Sequence, residues 1–267
     1  MDGQQFLGLQ PTDDPNRWLL PVVPAVLSGV GALFGGCGLA AAMEAMEATT
    51  GRQTMWATAQ YLSFARPPAM VSIEVVAMVV GHQTSQARAI GRVGDEEIFT
   101  VNAALGVRPS ELQGQWAARP QVPRPEDCPS RVLDGRHEAT IMQRLDIRLA
   151  DARPMDQLEG PSTDGRSSLW ARLDGLTSST TTLAILGDFV PFGISQAIGQ
   201  WAGGTSLDNT IRVARRVPTE WVHLDIRVQA VADGYGHGLV HLWAEDGTLL
   251  GTASQTAVVR QWRAEGR

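Results

Sequence analysis

The pattern of apolar and polar positions predicts one unusually apolar helix near the N-terminus. Residues 37–50 are rich in Ala, Leu and Met, and almost every other side chain is small. The only charges are Glu44 and Glu47, three positions apart on one face. A helix that is apolar nearly all round must be covered by other structure. Gly35 and Gly36 precede it and permit a close backbone approach. The sequence therefore predicts a sheet curled around one central helix.

Strand-like runs follow this helix, and short turns separate them. They are rich in β-branched residues and are bounded by Gly, Pro or Asp. Short connections predict antiparallel neighbours rather than βαβ units. The predicted strands are residues 54–65, 71–80, 84–93, 98–105, 141–149, 168–173, 205–214, 221–232, 239–244 and 248–259.

The helix-plus-strands pattern occurs twice. Residues 176–187 form a second small-residue helix candidate, and strand-like runs again follow it. In the first half Pro68 precedes the hairpin residue Asp95 by 27 positions, and in the second half Pro218 precedes Asp246 by 28. A pattern repeated at matching spacing predicts two similar structural units.

A Pro-rich linker separates the two predicted units. Residues 107–137 are polar and contain several prolines, as is typical of a crossing connection. We therefore divide the chain into an N-terminal unit (1–106), the linker (107–137) and a C-terminal unit (138–267). The second unit also carries an insertion, residues 189–204, between its helix and its first strand.

Composition excludes several function classes. The formal net charge of −6 argues against a nucleic-acid partner, which requires a basic surface. All 22 basic residues are Arg, so a P-loop lysine, a Schiff base and a Ser-Lys dyad are excluded. The two cysteines, Cys37 and Cys128, form no disulfide framework and indicate reduced thiols in a cytoplasmic protein. Without CxxC or HExxH, the sequence gives little support for a metal site.

Residues 19–43 are uncharged and resemble a membrane span in hydropathy alone. Pro21, Pro24 and several glycines interrupt the stretch, and Asp2 stands where a signal peptide carries positive charge. We therefore expect no membrane span here, but a chain entry leading into the central helix.

Four motifs carry a resemblance to a known family: FGGCGLAAAMEA, LGDF, TSLDNTIRVARRVP and DGTLLGTASQTAVVR. Their order and spacing resemble those of the acyl-CoA thioesterase II (TesB-like) family, over roughly residues 33–105 and 141–260. The resemblance implies an α+β double hotdog fold, in which two antiparallel sheets each wrap a long central helix and are joined side by side. It also implies a place in fatty acid metabolism.

The resemblance implies an acyl-CoA substrate and no bound cofactor or metal. Members of the family hydrolyse fatty acyl-CoA to free fatty acid and CoA, with water held by an Asp, a Ser or Thr, and a Gln. The matching positions are Asp188 in LGDF, Ser206 in TSLD and Gln255 in TASQ, with Thr205 as the alternative hydroxyl.

The residues themselves agree with these roles. Asp188 ends a predicted helix, where the helix dipole disfavours a carboxylate, and such a destabilising placement is typical of a functional site. Gln255 is a lone amide on an apolar strand face and needs a polar partner there. Gly35, Gly36 and Cys37, at the start of the central helix, are predicted substrate contacts, and the glycine amides are candidate oxyanion donors. The family usually has Gln at the position of Cys37.

Two other functions stay open at the level of sequence. A non-catalytic acyl-CoA or lipid binder of the same fold would explain the change to Cys37. A hotdog enoyl-CoA hydratase is less favoured, because its GDxNPxH-type segment is absent. A Ser-His-Asp system is also less favoured, since no GxSxG elbow occurs. Exposed sheet edges often pair between copies, so a homo-oligomer is expected.

Overall fold

The computed structural model describes residues 1–261 and shows an α+β fold built on one antiparallel sheet of 13 strands. The final residues of the predicted C-terminal unit, 262–267, lie outside the described residues. The helices are α1 (Gly3–Leu7), α2 (Gly35–Thr50), α3 (Thr180–Gly187) and α4 (Val190–Ile198). The strands are β1 (Gln10–Pro11), β2 (Arg17–Pro21), β3 (Thr54–Tyr61), β4 (Met70–Val80), β5 (Thr84–Val93), β6 (Glu96–Gly106), β7 (Leu145–Asp151), β8 (Arg166–Leu173), β9 (Ala202–Ser206), β10 (Asp208–Val213), β11 (Val222–Ala232), β12 (Tyr235–Ala244) and β13 (Leu249–Gln261).

The strand order contains the predicted repeat. Read from the outside inward, the first half runs β2-β4-β5-β6-β3 and the second runs β8-β11-β12-β13-β10. The halves meet where β3 pairs antiparallel with β10, and there Thr58 lies opposite Thr210 with the two hydroxyl oxygens 2.6 Å apart. The two predicted sheets are therefore halves of one continuous sheet. Strands β1 and β7 lie at the two outer edges, next to β2 and β8, and β9 pairs with β13.

Helix α2 begins at Gly35, two residues earlier than predicted, and most of its side chains are buried against strands β3 to β6 and against α3. The crossing of α2 and α3 is very close. A Cβ added at Gly36 would lie 2.9 Å from Ile185 Cα, and one at Gly35 would lie 2.8 Å from Asp188 Oδ2. Only glycine at these two positions lets the helices approach this way. The crossing therefore brings the start of α2 next to the end of α3.

The second half has two short helices in place of one long one. Pro191 lies in the first turn of α4 and lacks the N–H needed to continue α3, so the chain breaks at Asp188. Residues 189–204, expected as an insertion between elements, instead form α4 and lead into β9. The stretch Thr180–Ile198 is long and apolar enough to cross a membrane by length and composition, but 83% of its apolar window is buried, as in a core helix.

The linker 107–137 is fastened to the second half of the sheet. The indole nitrogen of Trp170 in β8 donates a hydrogen bond to the carbonyl of Pro123 at 2.9 Å. The amide of Arg131 donates to the carbonyl of Ile147 in β7 at 2.8 Å. The end of the linker is therefore held against strands β7 and β8 rather than free in solvent.

Candidate active site

The carboxylate of Asp188 lies between the two halves of the fold and is only 5% exposed. Its Oδ2 accepts a hydrogen bond of 2.6 Å from the amide of Gly36, at the start of α2. The N-cap residue of α2, Phe34, supplies no side-chain cap, so Asp188 fills that role from the other half. The negative end of the α3 dipole disfavours this carboxylate, and the positive end of the α2 dipole favours it.

Gln255 and Ser206 hold the other carboxylate oxygen. Both side chains donate hydrogen bonds to Oδ1 of Asp188, Ser206 at 3.3 Å and Gln255 at a shorter distance. The amide nitrogen of Gln255 also donates to Ser206 Oγ at 2.6 Å. Gln255 lies on the buried face of β13 with Ala253 and Ala257, as the alternation predicts.

The structure thus brings the three predicted residues into one hydrogen-bonded cluster. Thr205 precedes Ser206 in β9 and lines the same cavity, but makes no hydrogen bond to Asp188 within the described part of the chain. The geometry therefore favours Ser206 over Thr205 as the hydroxyl of the site. Their catalytic roles stay predictions.

Burial raises the pKa of Asp188 from its ordinary value of 3.8 to about 6. Removal of water disfavours the charged form, whereas hydrogen bonds from Gln255, Gly36 and Ser206 favour it and oppose the rise. A carboxylate with a pKa near 6 is ionised at neutral pH and still accepts a proton readily. These are the properties of a general base.

Asp188 and Ser206 line a cavity of about 380 Å³, and Gln255 lies behind them. The cavity is mainly apolar, which suits a hydrocarbon chain. Its apolar wall is formed by side chains from both halves, which include Leu33, Phe34, Ile98, Phe99, Met142 and Phe192.

The three predicted substrate contacts at the start of α2 occupy different positions. Gly35 lines the cavity beside Asp188. The amide of Gly36 is bound to the carboxylate and is not available to an oxyanion, contrary to one of the sequence-based possibilities. Cys37 is fully buried and lies behind the cavity wall, where desolvation raises the pKa of its thiol far above its ordinary value. Substrate contact by these residues stays a prediction.

Sequence reasoning missed Tyr61, which ends β3 and lines the cavity next to Gly35. The hydroxyl of Tyr61 is buried and makes no hydrogen bond of good geometry within residues 1–261. The side-chain amide of Asn209 is close to it and slightly favours the ionised form of Tyr61. Burial is the main cause that raises the pKa of Tyr61 well above its ordinary value of 10, and the charge of Asp188 is the second cause. No motif pointed to Tyr61, since a tyrosine at a strand end has no distinctive sequence signal.

The linker contributes three basic residues to the cavity: Arg131, Arg136 and His137. The guanidinium of Arg136 stacks on Trp201, 3.8 Å from the ring centroid. Sequence reasoning treated this segment only as a connection. The basic residues in RVLDGRH were the available signal, but nothing local indicated that the segment folds back over the cavity.

A metal centre finds no support in the part of the chain that the structure describes. No group of three or more His, Cys, Asp or Glu side chains there is placed to hold a metal ion. Cys37 and Cys128 are both buried, free thiols.

A family model describing the acyl-CoA thioesterase C-terminal domain matches residues 125–259, about half of the chain, and the resemblance drawn from the sequence is confirmed. The matched range contains Asp188, Ser206 and Gln255. A search of curated proteins gives no match.

Solved structures share the fold over nearly the whole chain. A protein from Novosphingobium aromaticivorans, provisionally described as a thioesterase, is 28% identical with a TM-score of 0.84, over 94% of this chain and 98% of its own. A hotdog-fold protein of unknown function from Alicyclobacillus acidocaldarius is 20% identical with a TM-score of 0.85, over 98% of both chains. An acyl-CoA thioesterase II from Mycobacterium marinum is 19% identical with a TM-score of 0.74, over 98% of this chain and 99% of its own. The hotdog-type α+β class is therefore confirmed.

Proposed function

Because the chain belongs to the acyl-CoA thioesterase family, we propose that it hydrolyses acyl-CoA thioesters and that Asp188 is the general base. One observation carries this proposal: a buried carboxylate with a pKa near 6, held by donors from both halves, faces an apolar cavity large enough for an acyl chain. Acyl-CoA is then both the substrate and the source of the CoA group, and no further cofactor is required.

Asp188 orients a water molecule and removes its proton as the water attacks the thioester carbonyl carbon. Ser206 and Gln255 hold the carboxylate through its Oδ1, so that the carboxylate keeps one orientation toward the water. Ser206 also lines the cavity, and its hydroxyl oxygen can accept a hydrogen bond from the same water. The acyl carbon gains a C–O bond, the C–S bond breaks, and the proton passes to the leaving CoA sulfur.

The leaving group needs little acid assistance. A thiol titrates near pKa 8.5, so CoA departs as a thiolate far more easily than an alcohol departs as an alkoxide. The developing oxyanion requires a donor, and the amide of Gly35 is suited to that role. It is the first amide of α2, its residue lines the cavity, and no acceptor for it is found in the described part of the chain.

The decisive experiment measures release of free CoA thiol from acyl-CoA substrates between acetyl-CoA and octadecanoyl-CoA. The Asp188→Asn variant keeps the side-chain shape but cannot accept a proton, so kcat should fall by about 100- to 10,000-fold. The control is Asp95→Asn, which removes an exposed carboxylate in the turn between β5 and β6. Its activity should equal that of the parent.

The outcomes separate hydrolase from binder. Chain-length-dependent release that collapses only in Asp188→Asn supports the proposal. Equal activity of Asp188→Asn and the parent contradicts the assignment of the base. Tight binding of acyl-CoA without release of CoA from any substrate would identify the protein as an acyl-CoA binder.

A further inference from the structure

Arg131 is a cation in the wall of a mainly apolar cavity. Its guanidinium lies over the ring of Phe192, 5.3 Å from the centroid, and its Nη1 reaches Met142 Sδ at 4.0 Å. Its Nε is buried and has no hydrogen-bond partner among the described residues. A guanidinium carries five N–H donors, and residues 1–261 supply no oxygen acceptor for this side chain. Such burial of a charge costs stability unless a partner binds it.

The nearest carboxylate is already engaged. Asp134 binds Arg136 at 2.6 Å and His137 at 3.0 Å, and it forms no ion pair with Arg131 in residues 1–261. Its charge still favours the protonated form of Arg131, while burial lowers the pKa of Arg131 to about 10. The side chain is therefore charged at neutral pH, has no ion-pair partner among residues 1–261, and lines the cavity.

Arg131 also lines the same cavity as Asp188. Phe192, on which it stacks, follows Asp188 by four residues in the first turn of α4. The same cavity contains Asp188, Ser206, Phe192 and Arg131 in its wall. An acyl group whose thioester lies at Asp188 can therefore place its own atoms beside Arg131.

We propose that Arg131 is a specificity-determining residue that binds a carboxylate carried on the acyl chain. The favoured substrates are then acyl-CoA thioesters of dicarboxylic acids. This inference rests on the proposed thioesterase function and names its substrate class. Arg suits the task because its planar donor fork matches the two oxygens of a carboxylate.

A phosphate of CoA is the other anion in the substrate, and its position argues against it. The whole pantetheine arm separates the CoA phosphates from the thioester sulfur. Arg131 packs on Phe192 and Met142, both of which are 8% exposed, whereas the exposed residues of the cavity rim include Val30, Leu62 and Phe64. A partly buried guanidinium packed on these two apolar side chains is therefore expected to face the acyl part of the cavity.

The test compares acyl-CoA pairs of equal chain length, one ending in a methyl group and one in a carboxylate, such as octanoyl-CoA and suberyl-CoA. For Arg131→Met we expect kcat/KM for the carboxylate-ended member of the best pair to fall by roughly 10- to 100-fold. The methyl-ended member should change by less than about threefold, since it makes no charged hydrogen bond with Arg131. Arg131→Lys should keep part of the preference for the carboxylate-ended substrate, because Lys keeps the positive charge but lacks the planar pair of donors.

The matched control is Arg124→Met, which removes an exposed guanidinium of the same linker, 81% accessible and 3.7 Å from Glu126. It should leave both rates unchanged. Equal losses on both members of every pair in Arg131→Met would overturn the proposal and assign Arg131 to CoA binding or to folding. Unchanged rates on both members would overturn it as well.

A binding measurement keeps this test independent of turnover. Non-hydrolysable thioether analogues of the two acyl-CoAs are titrated into the parent and into Arg131→Met by calorimetry. We expect the parent to bind the carboxylate-ended analogue more tightly, by roughly 10-fold or more, and the variant to lose that preference. Absence of hydrolysis with this preference intact contradicts the proposed function alone. Hydrolysis of methyl-ended chains with no preference contradicts the role of Arg131 alone.

Discussion

Replacement of Gln255 by Leu should shift the pH dependence of catalysis. Gln255 is the strongest of the three donors that oppose the burial-induced rise in the pKa of Asp188. A hydrogen bond to a charged group contributes about 1.5–3 kcal/mol, and one pKa unit corresponds to about 1.4 kcal/mol. Loss of the Gln255 donor should therefore raise the pKa of Asp188 from about 6 to about 7–8. Leu keeps a similar volume and offers no donor.

The assay is the pH profile of kcat/KM between pH 4.5 and 9, which reports the ionisation of the free enzyme. The parent should lose activity as pH falls through about 6, because the base must be ionised. Its kcat/KM at pH 5 should be about tenfold below the plateau. In Gln255→Leu the same fall should begin one to two pH units higher. The plateau value of kcat/KM should also be lower in Gln255→Leu. The pH of the inflection does not depend on the height of that plateau.

The control is Gln86→Leu, an exposed position in β5, whose profile should match that of the parent. An inflection near pH 6 in both Gln255→Leu and the parent would refute the reasoning, since the Gln255 hydrogen bond would then not influence the reacting carboxylate. An inflection near pH 4 in the parent would refute the claim that burial dominates the pKa of Asp188.

Two predictions concern stability. Because the pKa of Asp188 rises from 3.8 to about 6 on folding, the folded state binds a proton more tightly than the unfolded state. The parent should therefore lose about 2 kcal/mol of stability relative to Asp188→Asn as the pH rises from 4 to 7. Urea unfolding at the two pH values measures this difference, and a loss on acidification would contradict it. Gly36→Ala should lower the free energy of unfolding by about 1–3 kcal/mol, because its Cβ would meet Ile185 Cα at 2.9 Å. Gly135→Ala, which meets nothing within 4 Å, is the control, and equal melting temperatures would count against the close crossing.

The strand pattern and the repeat were readable from sequence, because alternation of apolar residues and short turns are local signals. The predicted 84–93 strand coincides with β5, and most other predicted strands agree within a few residues. Helix α4 was missed, since Pro191 and the glycines in 189–204 favour a loop locally. Burial of that segment against the second half of the sheet outweighs those preferences.

The candidate site divides in the same way. Asp188, Ser206 and Gln255 were identified by their motifs, but their separation along the chain gives no distances. The contact from Gly36 to Asp188 joins residues 152 positions apart and depends on two helices crossing at glycines. No local pattern encodes such a contact, because it arises from packing.

By itself, then, the sequence determined the duplicated helix-and-strand units, the family resemblance and the chemical identity of the three site residues. Tertiary structure alone decided that the halves share one continuous sheet and that the carboxylate at the end of α3 caps α2. It also decided that the linker returns Arg131 to the cavity. The physical reason is range: propensity and periodicity act between near neighbours, whereas burial, pKa and cavity shape depend on which distant surfaces exclude water from one another.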